Sequence, residues 1–316
     1  MKHIPVTLIV AVKNEEKRLK EFLPSVAAQS FYPAEMIVSD GGSSDGTWAY
    51  LINFKGQAPF PVKLLQLFGA NIAKSRNEAI GTAKYPVVAI TDASCVLDKA
   101  WLREITAPFE LPEIEVVSGR YIPEANTALQ QCTAALTISE SPYFTKFLPS
   151  GRSVAFTKAA WRKAGGYPQW LNYGEDTYFD LALRKHGCTF VLAPEAVVYW
   201  EQRKSIGDLW SQFWCCARGD GQADAFPNSY RYIISIWACM LLSVLGGIFF
   251  RPWLLPFIAV VFILISVCLA KRKLPSAGIR VWRWAPVILL VVKTAQTMGF
   301  ILGTAERVTY CKAPGE

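Results

Sequence analysis

Histidine is almost missing from this sequence: His3 and His186 are the only two among 316 residues. A nucleophile activated by imidazole, or a metal site built from several imidazoles, is thereby nearly excluded. Cysteine occurs eight times but never as a C-x-x-C pair; Cys215 and Cys216 are adjacent, and Cys239 and Cys268 lie inside long apolar runs. That spacing suits neither a disulfide framework nor a zinc knuckle, so the thiols read as reduced. Acids are scarce beyond residue 229, where ten Lys/Arg face two Asp/Glu for a net +8, whereas residues 1–229 hold 23 of each sign. The basic excess therefore sits among apolar segments and argues for membrane topology, with no nucleic-acid partner. A cleavable leader is also missing: "IPVTLIVAV" is short, contains Pro5 and runs into "KNEEKR" without a small-residue cleavage site. Any catalysis must depend on carboxylates.

The hydrophobic fraction is 52% and the mean hydropathy +0.22, high for a wholly soluble chain. Residues 230–250 and 253–270 lack acids and are close to the ~20 residues that a bilayer requires. The hinge "FFRPW" between them holds Arg251 alone, so they form a helical hairpin. Residues 285–303 are a weaker third span, in which Lys293 must face protein or water unless the segment lies at the interface. Five basic residues in 271–283 fix that loop in the cytoplasm, which puts residues 1–229 on the cytoplasmic side of an inner or plasma membrane. Ahead of the first span, Ile206, Leu209, Trp210, Phe213, Trp214 and Ala217 share one helical face. That face suits core packing or, just before a membrane, an interfacial helix. The expected organisation is a catalytic domain over 1–202, an interfacial helix or linker over 203–229 and a membrane region over 230–316.

Residues 1–202 alternate strand-like runs ("VTLIVAV", "AEMIVS", "VKLLQLF", "VVAIT", "EVVSG") with helical patterns. This predicts an α/β fold, a mainly parallel sheet with helices on both faces. Ligands in such sheets bind beyond the carboxyl ends of the strands, where "KNEE", "VSDGGSSDGT" and "TDAS" fall. Asp40 closes the second strand and could accept a base N–H, with Gly41 and Gly42 allowing close approach and Asp45 capping the next helix. Asp92, at a strand tip, suits a divalent cation that takes its other ligands from water and phosphates; a helix cap is its plainer role. Arg76 in "AKSRNEA" could meet a diphosphate or form a surface salt bridge. Further on, "YGED" opens a helix with Glu175 and Asp176 at its start, an arrangement that the helix dipole alone would favour. Trp170, Tyr173 and Gly174 just before it suit an acid that takes a proton from a hydroxyl.

These stretches, in this order, resemble glycosyltransferase family 2 with its GT-A fold, over roughly residues 4–200. "VAVKNEE" resembles the first nucleotide-binding strand, with Ala11 where proline is frequent, which implies donor contacts from Ala11, Val12, Asn14 and Glu15. "VSDGGSSDGT" resembles the signature v-D-x-x-S-x-D-x-T and implies that Asp40 meets the base. "AKSRNEA" matches a-R-N-x-A, giving Arg76 to the donor. "TDAS" stands at the metal-binding D-x-D, implying Asp92 as metal ligand beside Ala93, with Ser94 replacing the second acid. "GED" matches the acid pair, so Asp176 would be the base and Glu175 would fix the acceptor or orient its neighbour, with Trp170 and Tyr173 lining the acceptor side. The resemblance implies inverting transfer from a nucleoside-diphosphate sugar, a UDP-sugar being favoured. It further implies Mg²⁺ or Mn²⁺ and a lipid-linked or saccharide acceptor at the membrane, as in cell-envelope polysaccharide or glycolipid synthesis. Three other readings stand beside it. A processive polysaccharide synthase would carry Q-x-x-R-W, of which "WSQFWCCARGDG" is a distant echo. The others are a non-catalytic, membrane-anchored nucleotide-sugar binder and an unrelated Rossmann-like anchor protein.

Overall fold

The computed structural model describes residues 4–138, 148–250, 252 and 254–310. His3, Arg251 and Trp253 lie outside the described residues. The chain forms two compact units, one drawn from 1–123 and 143–201, the other from 124–142 and 202–316.

The first unit opens as expected, with β1 (Val6–Val12), α1 (Glu16–Ala27), β2 (Glu35–Asp40), α2 (Thr47–Gln57), β3 (Val62–Gln66), α3 (Ile72–Thr82) and β4 (Val87–Ile90). Every residue of β2 is buried and all but one of β1. Apolar runs without alternation are what strands covered on both faces require. These four strands run parallel in the order β3-β2-β1-β4. Register sets Val12 beside Asp40 and Asp40 beside Gln66, so the carboxyl ends of β1, β2 and β3 form one straight edge.

Beyond β4 the sheet turns antiparallel. The chain continues through β5 (Cys95–Leu97), α4 (Trp101–Thr106) and β6 (Val116–Glu124). After α5 (Ala128–Thr137), which belongs to the other unit, come β7 (Val154–Thr157), α6 (Lys158–Lys163), α7 (Glu175–Lys185) and β8 (Phe190–Glu201). The eight-stranded order is β3-β2-β1-β4-β7-β6-β8-β5, with β7 antiparallel to both β4 and β6. One core cluster unites Ile9, Ile37, Val88 and Ile90 with Phe156, Tyr167, Phe179 and Leu183. Tyr167 stacks on Phe179 at 4.2 Å and Phe179 meets Phe156 edge-on at 5.2 Å, which pins α7 to β7.

The second unit is helical: α5, α8 (Ile206–Ala223), α9 (Pro227–Phe250), α10 (Leu254–Lys273), α11 (Ile279–Trp282) and α12 (Ala285–Tyr310). Three stretches, Pro227–Phe249, Leu255–Lys273 and Ile279–Val308, are long and apolar enough to cross a membrane. Lys293 is half-buried and donates to Gln296 at 3.0 Å. The expected continuous domain over 1–202 is interrupted, because α5 buries Cys132 with Ala270, Val281, Ala285 and Ile288 of the second unit. Helix α8 lies along α12 through glycines: a Cβ on Gly299 would stand 2.5 Å from the Trp214 carbonyl, and one on Gly221 would overlap the Phe300 carbonyl. Leu209 and Ala217 of the face expected at the bilayer are therefore buried in protein, whereas Trp210 and Trp214 stay half-exposed and stacked on each other at 6.0 Å.

Candidate active site

The β1–α1 and β2–α2 loops are stitched into one wall. Asn14 adopts a left-handed conformation, φ 57°, that asparagine tolerates better than bulkier residues. There its amide N–H donates to Ser43 Oγ and its side-chain oxygen accepts from Ser44 N, both at 2.8 Å. Glu15 N donates to Thr47 Oγ1 at 2.8 Å, and Thr47 N to Asp45 Oδ1 at 3.0 Å. Asp45 thus sits at the start of α2, and its bonds with Thr47 hold its carboxyl below the usual range. Ala11 is half-buried at the end of β1 and Val12 is buried beside it.

Asp40 is fully buried at the tip of β2. Its Oδ1 accepts from Ser43 N at 3.0 Å and Ser43 Oγ at 2.6 Å, while Oδ2 is buried with no partner among the described residues. A carboxylate oxygen left unpaired inside a protein is costly unless a ligand donates to it.

Arg76 is not at the surface. Its guanidinium is 2% exposed and divides between two carboxylates: Nη2 to Asp92 Oδ1 at 2.8 Å and Nη1 to Glu175 Oε1 at 2.9 Å. It also lies over the Tyr167 ring, 5.3 Å from the centroid, and Nε has no partner among the described residues. A single side chain from α3 thereby joins the tip of β4 to the start of α7. Next along α3, Asn77 clasps the loop before α7, donating to Tyr167 O at 2.8 Å and accepting from Tyr167 N at 2.9 Å and Trp161 Nε1 at 3.0 Å. Asn71, the cap of α3, donates to Gln169 O at 2.8 Å and Leu171 O at 3.1 Å.

Gly174, left-handed at φ 73°, turns the chain into α7 and points Glu175 and Asp176 to different environments. Glu175 is buried, and desolvation pushes its carboxyl up to about 7, against the pull of Arg76 and with the push of Asp176. Asp176 is half-exposed; its Oδ1 accepts from Thr177 N at 2.8 Å and its Oδ2 from Gly151 N at 3.3 Å. Trp170 and Tyr173 are exposed, at 59% and 46%, and Trp170 meets Tyr178 edge-on at 5.5 Å. Ala93 is buried beside Asp92, which keeps 29% of its side chain exposed.

Three participants were not anticipated. Asp180, one turn below Asp176, is buried with Oδ2 unpartnered among the described residues, and desolvation raises its carboxyl well above the usual range. Asn71 and Asn77 carry the other two roles, and an asparagine directly before a helical pattern is the signal that could have found Asn71. Among the described residues no group of three or more His, Cys, Asp and Glu could cage a metal ion. Asp92 fits a cation differently, as a lone hard ligand on the exposed side of the site, with phosphates and water completing the shell.

Comparison with known proteins gives the chain its family. The family described as glycosyl transferase family 2 matches residues 7–157, and glycosyl transferase family group 2 matches residues 87–298. Chondroitin synthase of Pasteurella multocida is 22% identical across 64% of this chain, and the O-antigen chain rhamnosyltransferase RfbN of Salmonella typhimurium is 22% identical across 61%. The chain spans a quarter (25%) of the first relative and 65% of the second. In three dimensions it is similar to the mannosyltransferase PcManGT of Pyrobaculum calidifontis, solved with GDP-Man and Mn²⁺, with TM-score 0.61 and 20% identity over 93% of this chain and 88% of that one. With the second of these families covering most of its length, the chain belongs to glycosyl transferase family group 2.

Proposed function

We propose that this protein transfers a sugar from a nucleoside-diphosphate donor to a hydroxyl acceptor delivered at a membrane, with inversion at the anomeric carbon. The observation that carries the reading is the Arg76 bridge, which gathers Asp92 and Glu175 beside a half-exposed Asp176. Asp176 takes the acceptor's proton as its oxygen attacks the anomeric carbon, and the bond from that carbon to the diphosphate oxygen breaks on the opposite face. Asp40 receives a base N–H on its free oxygen, and the wall from Ala11 to Glu15 flanks the nucleotide. Mg²⁺ or Mn²⁺, held by Asp92 and the donor's phosphates, would offset charge on the leaving diphosphate. Arg76 positions both carboxylates, and its charge, 2.8 Å from Asp92, adds to that offset. Glu175, buried on Arg76, orients the pair, and Trp170 and Tyr173 offer an aromatic surface for the acceptor. A UDP-sugar is the favoured donor, and a lipid-linked acceptor suits a chain with three helices, among the described residues, long and apolar enough to cross a bilayer. The basic loop at 271–283 supports a cytoplasmic side for residues 1–229.

The test is transfer by the detergent-solubilised full chain from a panel of UDP- and GDP-sugars, with product configuration read by NMR. Asp176→Asn keeps size and most hydrogen bonds but cannot accept the proton, so turnover should fall about 10²–10⁴-fold while donor binding survives. Near-normal turnover, or product that retains the donor configuration, would remove this mechanism.

A further inference from the structure

The turn between β3 and α3 carries an aromatic ring that no part of the fold uses. Phe68 is 78% exposed. A lone exposed apolar side chain needs no explanation, but this one is held in place. Leu67 N donates to the Asp40 carbonyl at 2.7 Å, and Ala70 N to the Leu67 carbonyl at 3.0 Å, with Gly69 left-handed at φ 74° between them. That is the geometry of a type II turn, which needs glycine at its third position and presents the second residue outward. The turn therefore rides on the backbone of Asp40, the residue with a buried and unpartnered carboxylate oxygen. Gly42, two residues after Asp40, is left-handed at φ 85°, and a Cβ on it would stand 3.1 Å from Phe68 Cδ1. On the neighbouring Gly41 a Cβ would stand 3.0 Å from the Ala70 carbonyl of the same turn, with Lys13 Cδ at an ordinary contact distance of 3.5 Å. The Phe68 turn thus lies close against the Gly41–Gly42 backbone, next to an acceptor, Asp40 Oδ2, that has no donor among the described residues.

We infer that Phe68 supplies the flat face on which the donor's nucleobase stacks while Asp40 accepts the base N–H. The inference rests on the nucleotide-sugar reading above and adds a residue to it. A base offers an edge N–H to a carboxylate and a π face to an aromatic ring, so one planar group satisfies both features at once. Stacking on a phenyl ring is tolerant of the base, so Phe68 contributes affinity for the nucleoside and Asp40 its discrimination.

Titration calorimetry on the detergent-solubilised full chain tests this, with UDP, GDP and inorganic pyrophosphate as probes, each with Mn²⁺ present. Phe68→Ala should weaken the nucleoside diphosphate that wild type binds by about tenfold or more, and leave pyrophosphate within about twofold. Phe68→Trp should keep wild-type affinity. Phe68→Leu, which preserves apolar bulk without a ring, should lose as much as the alanine variant and guards against a folding artefact. If Phe68→Ala binds the nucleoside diphosphate normally while wild type binds it well, stacking fails and the nucleotide-sugar reading stands. Equal loss of pyrophosphate would also overturn the stacking role. A wild type that binds neither nucleoside diphosphate would sink the functional reading and this inference with it.

Discussion

Glu175 and Asp176 are neighbours in the chain and live in different media, one buried on Arg76 and one half-exposed on Gly151. The consequence for Glu175 is measurable. Its folded pKa, about 7, lies above the ordinary 4.5, so from about pH 4.5 to pH 7 the folded chain holds a proton that the unfolded chain has released. Stability must therefore fall as pH rises through that window, by on the order of a few kcal/mol for the whole shift. Asp180 adds a slope of the same sign, because its carboxyl is also raised by burial. Glu175→Gln removes its own titration at nearly constant shape. Melting temperatures of wild type and variant, taken between pH 4.5 and 7.5, should show the shallower slope in the variant, and identical slopes would deny Glu175 its raised pKa. Asp180, inside α7, escaped the sequence reading, but Asp92, Glu175 and Asp176 were legible, since they follow a strand end or a glycine in a recognisable cluster. Their pairing was not. Arg76 and Glu175 are 99 residues apart, and the packing of Tyr167 and Phe179, with the hydrogen bonds of Asn71 and Asn77, brings α7 to α3.

At the scale of elements, strands β1, β2 and β4 could be read because burial on both faces makes each a plain apolar run, and β3, half-exposed at the sheet edge, because apolar residues still dominate VKLLQ. Strands β5 and β8 could not. Strand β5 is three residues long, and β8 carries Pro194 and Glu195, both exposed, in its middle, which breaks the pattern that a strand should show. Helix α8 was legible as amphipathic, but its partner was not, because the seam it makes with α12 is built from glycines rather than bulky side chains. In Gly299-x-x-x-Gly303 the backbones approach so closely that a Cβ on Gly303 would overlap the Arg218 carbonyl. Arg218 then reaches Glu306 with two hydrogen bonds, at 2.9 and 2.5 Å, and Gln222 joins at 2.7 Å. Gly303→Ala should lower the melting temperature of the solubilised protein by several degrees through that overlap. Gly81→Ala on α3 is the contrasting case, with nothing within 4 Å of the new methyl. Helix propensity alone should leave it neutral or stabilise it by up to about 1 kcal/mol. Equal melting temperatures for the two variants would refute the close seam.

The whole molecule joins an α/β unit of nearly balanced charge to a basic, apolar helical one. Its proposed orientation makes residues 271–283 cytoplasmic, so trypsin should cut there in inside-out membrane vesicles and spare the loop in right-side-out ones. The reverse pattern would invert the topology and remove the catalytic unit from the cytoplasm. The passage of the chain through α5 carries a further consequence, for synthesis and for anyone wishing to handle the catalytic unit alone. Helix α5 leaves the ribosome well before α8, α10, α11 and α12 exist, so Leu129, Cys132 and Leu136 must wait for partners that are translated later. A gene cut after codon 201 would make that wait permanent and leave a greasy helix on an otherwise water-soluble product. A well-behaved truncation has to replace residues 124–142 with a short polar bridge as well as stop before the first span.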